Sequence, residues 1–231
     1  MNILAIEAST QRLSVALWAD GALAEKFDRV PNGGSERLLP WVNELLAESG
    51  RSLKQLDGIA FGAGPGGFTG LRLACGLAQG LAYGLDLPVV PVSTLAALAM
   101  SAGRQGRILA TLDARMNEIY LAAYEVSGAD VTESLAPQVG AASSLCLPEG
   151  AGWFGVGDGF AVAGAALTAR MAGRLSGDDA GLFPTASAIA LLAVPVLQRK
   201  EGRDAGQAVP IYVRDKVALT TAERFARGGT K

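Results

Sequence analysis

NILAIEASTQRLSVALWADGALAEKFD, residues 2 to 28, holds two apolar runs, NILAIE (2–7) and LSVALW (13–18), followed by a third stretch, ALAEKFD (22–28). Asp20-Gly21 joins the last two, and this pair suits a two-residue hairpin turn whose central positions both need a positive φ. The segment therefore predicts an antiparallel meander. Working outward, Ser35-Glu36 starts a helical stretch in which Leu38, Leu39, Trp41, Val42, Leu45 and Leu46 cover about 160° of the helical wheel. Pro40 inside it marks either the first turn or a kink. A strand DGIAFG (57–62), a glycine loop, a helix from about Thr69 to Gly84, a strand PVVPV (88–92) and a helix from about Thr94 follow. The first hundred residues read βββαβαβα.

After a Gly/Arg-rich joint at 101–107 the pattern restarts. RILATLDA (107–114), NEIYLAAYEV (117–126) and VTESLA (131–136) read as strands. GAASSL (140–145) reads as a short helix, WFGVG (153–157) as a strand, and 160–171 and 185–200 as helices. Two halves with one order of elements predict a duplicated α/β fold, although no sequence repeat is visible. Two βββαβα-type subdomains are the plan of the actin-like ATPase superfamily, and the expected boundaries are 1–103 and 104–214. The tail PIYVRDKVALTTAERFARGG (210–229) reads as strand-like and then helical, and residues 215–231 are expected as a C-terminal helix that packs back on the first subdomain.

Half of the residues are apolar, 18% are charged and the net charge is −2. That composition fits an ordinary soluble fold and argues against a strongly basic nucleic-acid binder. MNILAIEAST has no basic n-region, and the apolar stretch from Leu71 to Met100 is broken by Arg72, Gln79, Asp86, Pro88 and Pro91, so neither a signal peptide nor a membrane span is expected. A cytoplasmic location follows. Cys75 and Cys146 have no ligand-like spacing and are expected to be buried thiols. The chain contains no histidine, which excludes His-based triads, HExxH zinc sites and imidazole general bases.

Three stretches invite a chemical reading. In the actin-like superfamily the turn after the first strand carries an Asp near the nucleotide-bound metal and a Gly that admits phosphates; here it reads Glu7-Ala8-Ser9-Thr10. Glu7 and Thr10 are candidates for a degraded phosphate site, against a tight turn satisfied by its own hydroxyls. GAGPGGFTGLR (62–72) offers Gly64, Gly66 and Gly67 before a helix N-terminus, an anion-friendly arrangement, but it matches neither GxxxxGK[ST] nor a dinucleotide loop. The helix that follows carries Gly76, Gly80 and Gly84 four apart, Gly70, Ala74, Ala78 and Ala82 four apart, and Leu73, Leu77, Leu81 and Leu85 in a third row. Each interior Gly costs about 1 kcal/mol relative to Ala, so a gain elsewhere is required. Small residues four apart thin a helix face for close approach, by a partner or by the rest of the chain. Asp113, Arg115 and Glu118 cluster at an expected hairpin between strands, read as a charged turn, and Asp158 in GVGDG (155–159) is placed as a helix cap.

Taken together, AIEAST (5–10), GSERLLP (34–40), GAGPGGFTGLRLACGLAQGLA (62–82), PVVPVSTL (88–95), LDARMNEIY (112–120) and PIYVR (210–214) resemble the bacterial TsaB family, also called YeaZ. The resemblance implies a role in making threonylcarbamoyladenosine beside the anticodon of tRNAs reading ANN codons. It implies a non-catalytic partner of the homologous transferase TsaD, joined by the ATPase TsaE, with ATP and Mg used by the complex and no cofactor on this chain alone. It also implies homodimers where TsaD is absent. The contact with TsaD would come from the two helices of the first half, with Leu38, Trp41, Leu45, Arg72, Leu73, Gly76, Gly80 and Tyr83 as the candidate face. TsaD has a His-x-x-x-His metal pair where this chain has Thr94 and Leu98, so no metal and no catalytic residues are expected here. Glu7 and Gly34 depart from the Asp and His of many relatives.

The competing expectation, from a different class, is a small actin-fold kinase or ATPase using Glu7, Thr10 and the glycine loop. A metallopeptidase, an old label for the wider family, is opposed by the absence of histidine.

Overall fold

The computed structural model describes residues 1–30 and 34–213, so the expectation for the tail at 215–231 lies outside the described residues. The predicted meander is present as β1 (Asn2–Glu7), β2 (Arg12–Ala19) and β3 (Ala22–Arg29). Asp20 and Gly21 both take positive φ, 49° and 89°, as the hairpin twist requires. The first half continues with α1 (Ser35–Glu48), β4 (Gly58–Gly64), α2 (Phe68–Leu85), β5 (Val89–Ser93) and α3 (Thr94–Ser101). The second half holds β6 (Gly106–Arg115), β7 (Glu118–Ser127), β8 (Asp130–Gly140), β9 (Trp153–Val156), α4 (Gly159–Arg170), β10 (Leu175–Asp179) and α5 (Ala186–Gln198).

The strands form two five-stranded sheets, ordered β3-β2-β1-β4-β5 and β10-β9-β6-β7-β8. In each, an antiparallel meander is extended by two parallel strands: β4 beside β1 and β5 beside β4 in the first, β9 beside β6 and β10 beside β9 in the second. Read from the meander edge, the second sheet repeats the first. The duplicated α/β fold expected from element order is thus present as topology.

Side-chain alternation, the period-two property of a strand, assigns the layers. Leu4, Ile6, Ile59 and Phe61 face one way, into a core shared with α1 and α2. Ile3, Ala5 and Ala60 face the other way, against Ala97 of α3 and Ala186, Ile189, Ala190 and Ala193 of α5. Leu95, Leu98 and Ala99 of α3 pack on Ile108, Ala110 and Leu112 of the second sheet, whose far face is covered by α4 through Phe160 and Leu167. Helix α3 is therefore apolar nearly all round because it is packed from both sides.

Three local expectations need correction. Residues 141–145 form turns, not a helix, with Ser144 N–H donating to the Ala141 carbonyl at 2.9 Å; six residues are too few to offset helix nucleation. Strand β10, LSGDD, was not anticipated, because its half-exposed edge position needs no apolar pattern. Residues 210–213 are not a strand; Ile211 N–H makes one backbone bond, to the Ala63 carbonyl at 2.7 Å.

Candidate functional site

The glycine loop between β4 and α2 is folded onto the turn after β1. Gly67 N–H donates to the Ser9 carbonyl at 2.7 Å. A Cβ on Gly66 would lie 2.6 Å from Ser9 Cβ, and one on Gly70 would overlap the Ala8 carbonyl oxygen. Gly64, at φ 127°, lies against the Ile211 carbonyl. These glycines serve a close backbone-to-backbone contact that no larger residue admits, and the first amide an anion would use is already bonded to Ser9. Gly70→Ala is accordingly expected to destabilise the fold by roughly 1–3 kcal/mol, the usual cost of overpacking, measurable as a lower urea midpoint; an unchanged midpoint would show that the loop is free to move away.

The turn satisfies its own groups only in part, since Glu7 Oε2 and Ser9 Oγ are buried without a hydrogen-bond partner. Thr10 Oγ1 accepts the Arg12 N–H at 3.2 Å, and Glu7 Oε1 accepts the Ser9 N–H at 2.5 Å. Glu7 is fully buried, its Oε2 has no hydrogen-bond partner, and a Cβ on Gly62 would collide with that oxygen. Burial pushes the Glu7 carboxyl up to about 7. Of the five residues expected to form a phosphate site, Thr10, Gly66 and Gly67 line an open cleft, while Glu7 and Gly64 are buried behind it. The reason is that Glu7 is an inward-facing residue at the end of a central strand.

The cleft, about 630 Å3, separates the two halves. Its walls are the turn at 8–11, the start of α2, the β6–β7 hairpin, Asp158 and residues 211–213. The hairpin turn takes three successive left-handed residues, Arg115, Met116 and Asn117. Asp113 pairs with Arg115 at 3.1 Å. Asp158 sits at the N-cap position of α4 but makes no side-chain cap; its Oδ1 instead accepts Asp113 N–H across the cleft floor at 2.9 Å. Burial, with the Asp113 carboxylate adding to it, holds the Asp158 carboxyl above its ordinary range. Thr94 and Leu98 are fully buried, and Thr94 Oγ1 donates to the Pro65 carbonyl. Cys75 is buried as expected, but Cys146 is exposed, its backbone bonded on both sides to the Gln138 side chain.

The two candidate helices divide differently from expectation. Leu38 and Leu45 of α1 are buried in the core of their own sheet and are not available to a partner; Trp41 is partly buried and Leu39 is exposed. The single apolar stripe of an amphipathic helix goes to the sheet beneath it. On α2 the two small rows separate. Ala74, Ala78 and Ala82 are fully buried against the sheet, whereas a Cβ on Gly76, Gly80 or Gly84 would meet nothing within 4 Å. Arg72 and Tyr83 are exposed beside those glycines, Tyr83 at 82%, with Leu73 partly buried at the margin. Arg72 is held with its guanidinium 3.7 Å above the Phe68 ring and its Nε donating to Tyr212 Oη at 3.3 Å. Phe68 and Tyr212 were not among the expected site residues; Tyr212 is 140 residues from Arg72 in sequence, and no local pattern signals such a contact.

The model of the family described as TsaD, tRNA N6-adenosine threonylcarbamoyltransferase, matches residues 32–220. The tRNA threonylcarbamoyladenosine biosynthesis protein TsaB of Escherichia coli (strain K12) is 36% identical over 232 residues, covering 94% of this chain and 96% of its own. TsaB of Haemophilus influenzae is 37% identical over 94% of this chain and 95% of its own. Among solved structures, YeaZ from Pseudomonas aeruginosa superposes with a TM-score of 0.84 at 39% identity, over 91% of this chain and 99% of that one. A second crystal structure, of an uncharacterized protein with similarity to peptidase YEAZ from the same organism, gives 0.85 at 39% identity, over 92% and 99%.

Proposed function

Because the chain belongs to the TsaB family, we propose that it serves the synthesis of threonylcarbamoyladenosine in tRNA as a non-catalytic subunit, docking on TsaD through the outer face of α2. The observation that carries this reading is the row Gly76, Gly80 and Gly84. Each interior glycine costs a helix about 1 kcal/mol, and nothing in the described residues packs on any of the three. A second helix crossing there would approach closely, with the exposed Tyr83 and the stacked Arg72 at its margins, residue types that dominate binding energy at interfaces.

In this reading TsaD carries the transfer chemistry, TsaE joins the pair as the ATPase, ATP and Mg act in the complex, and tRNA reading ANN codons is met through the complex. The same face accounts for a homodimer where TsaD is absent. The chain would work in the cytoplasm, and no helix among the described residues is long and apolar enough to cross a membrane. The glycine loop tied to Ser9 favours a scaffold over a small kinase.

The deciding experiment is reconstitution of tRNA modification from purified TsaD, TsaE, the activated threonylcarbamoyl donor and ANN-decoding tRNA. Product is expected only when this chain is added, and full activity without it would overturn the reading. Mg-ATP titrated into the chain alone should give no binding heat; micromolar binding with turnover would point to the kinase instead.

A further inference from the structure

Arg72 stands at the head of the exposed glycine row, since positions 72, 76, 80 and 84 are spaced by four along α2 and share one face. It is the only charged residue of that helix, and it is exposed. Its side chain is nonetheless held. The guanidinium lies 3.7 Å above the Phe68 ring, one turn earlier in the helix, and Nε donates to Tyr212 Oη at 3.3 Å. No carboxylate among the described residues pairs with it.

Fixing an exposed arginine costs rotamer entropy, and here the fixing has its own support. Tyr212 ends a segment that runs beside α2 in the opposite direction: the Ala205 carbonyl accepts Gln79 Nε2 at 3.2 Å, the Ala208 carbonyl accepts Cys75 Sγ at 3.3 Å, and Ile211 N–H donates to the Ala63 carbonyl at 2.7 Å. The Tyr212 ring also lies 6.2 Å from the Phe68 ring, centroid to centroid. The stack covers a face of the guanidinium and the tyrosine uses Nε, which leaves the donors of Nη1 and Nη2 without an acceptor among the described residues. That pair of nitrogens matches the two oxygens of a carboxylate. A nucleic-acid backbone is held by several cations together, and this row offers one.

We propose that Arg72 is a preset receptor for one aspartate or glutamate of TsaD, taken through Nη1 and Nη2, with Phe68 and Tyr212 as positioning residues that hold the guanidinium before the partner arrives. The inference rests on the docking of TsaD on the outer face of α2, and it adds a register to it. A row of glycines four apart receives a helix equally well at positions one turn apart, whereas a single fixed charge at its end selects one of them. Holding the side chain in advance also lowers the entropy lost on binding.

Calorimetric binding of purified TsaD to the full chain, at low and at high salt, tests it. Arg72→Gln is expected to raise Kd roughly tenfold or more at low salt and by less at high salt. Arg72→Lys keeps the charge without the planar fork and should recover only part of the loss. Tyr212→Phe keeps the ring and removes the acceptor; it should weaken binding about threefold in the parent and not at all beside Arg72→Gln, a coupling that a purely structural tyrosine would not show. Gly80→Leu separates the receptor from the docking itself. If Gly80→Leu breaks the complex while Arg72→Gln leaves Kd unchanged, the receptor is overturned and the docking face stands; if neither weakens the complex, both fall. Weaker tRNA retention by the assembled complex with an unchanged Kd for TsaD would assign the cation to a phosphate and overturn the proposal. So would a lower melting temperature of Arg72→Gln large enough to account for its weaker binding.

Discussion

Gly80→Leu is expected to raise the melting temperature of the isolated chain and, in the same protein, to weaken its complex with TsaD at least about a hundredfold. The two effects have one cause. A side chain at position 80 points into open space in the monomer, so the substitution gains helix propensity of about 1 kcal/mol, worth roughly 2–4 °C in a chain of this size. The same side chain would hold a partner helix several ångströms off its seat, and losing close packing at the centre of an interface removes the contacts that dominate its energy. Gly76→Ala and Gly80→Ala together should stabilise the monomer by roughly 2 kcal/mol, since both sites lie inside the helix and open to empty space. Calorimetric melting and size-exclusion chromatography with TsaD read the two sides separately. A destabilised Gly80→Leu monomer would mean that the face packs within the chain; an intact complex would mean that the partner docks elsewhere.

Opposite signs on one residue separate a retained functional cost from a structural need. Gly70, Gly66 and Gly64 are structural, since a Cβ there meets the backbone of Ala8, Ser9 and Ile211. Gly76, Gly80 and Gly84 meet nothing. The two sets follow each other within one loop and helix, and stabilisation by filling the second set at the expense of binding is the usual trade between stability and function.

The sequence could not separate those sets, because a repeat of four looks the same whether it faces a sheet or solvent. The Ala74, Ala78, Ala82 row went inward, where methyl groups fit the sheet, and the glycine row outward. For α1 the error ran the other way: Leu38 and Leu45 were expected at a partner surface but lie in the core, because the apolar stripe of a helix is claimed first by its own sheet. The order of elements along the chain and the antiparallel meander were legible from the apolar runs, the Asp20-Gly21 turn and the restart after residue 107, since each is a local property. The contacts of Ser9 with Gly67 and of Arg72 with Tyr212 were not, since they join segments far apart in the chain. Glu7 illustrates the same limit: its position at a strand end suggested a ligand, but only the neighbouring strand and Thr94 decide that it faces inward.

That burial leads to the second large expectation, that the chain loses stability as pH rises from about 4.5 to just above 7, and that Glu7→Gln abolishes the loss. Glu7 is held at about 7 in the folded chain, against an ordinary value of 4.5, because its carboxylate would lie in a dry site with Oε2 unpartnered. Below 4.5 the group is protonated in both folded and unfolded chains, and its full contribution to stability is present. Between the two values the unfolded chain releases the proton while the folded chain keeps it, so each pH unit costs about 1.4 kcal/mol. Above about 7 both have released it and the loss levels off, near a total of roughly 3 kcal/mol. Gln carries no charge at any of these pH values and keeps an oxygen for the Ser9 N–H. The variant should therefore match the parent near pH 4.5 and exceed it by roughly 3 kcal/mol at pH 8, which urea titrations at pH 4.5, 6, 7 and 8 would read directly. Parallel stability curves for the two proteins would show that Glu7 ionises as freely in the fold as in water, and that an ion or a water-filled path reaches an oxygen with no protein partner.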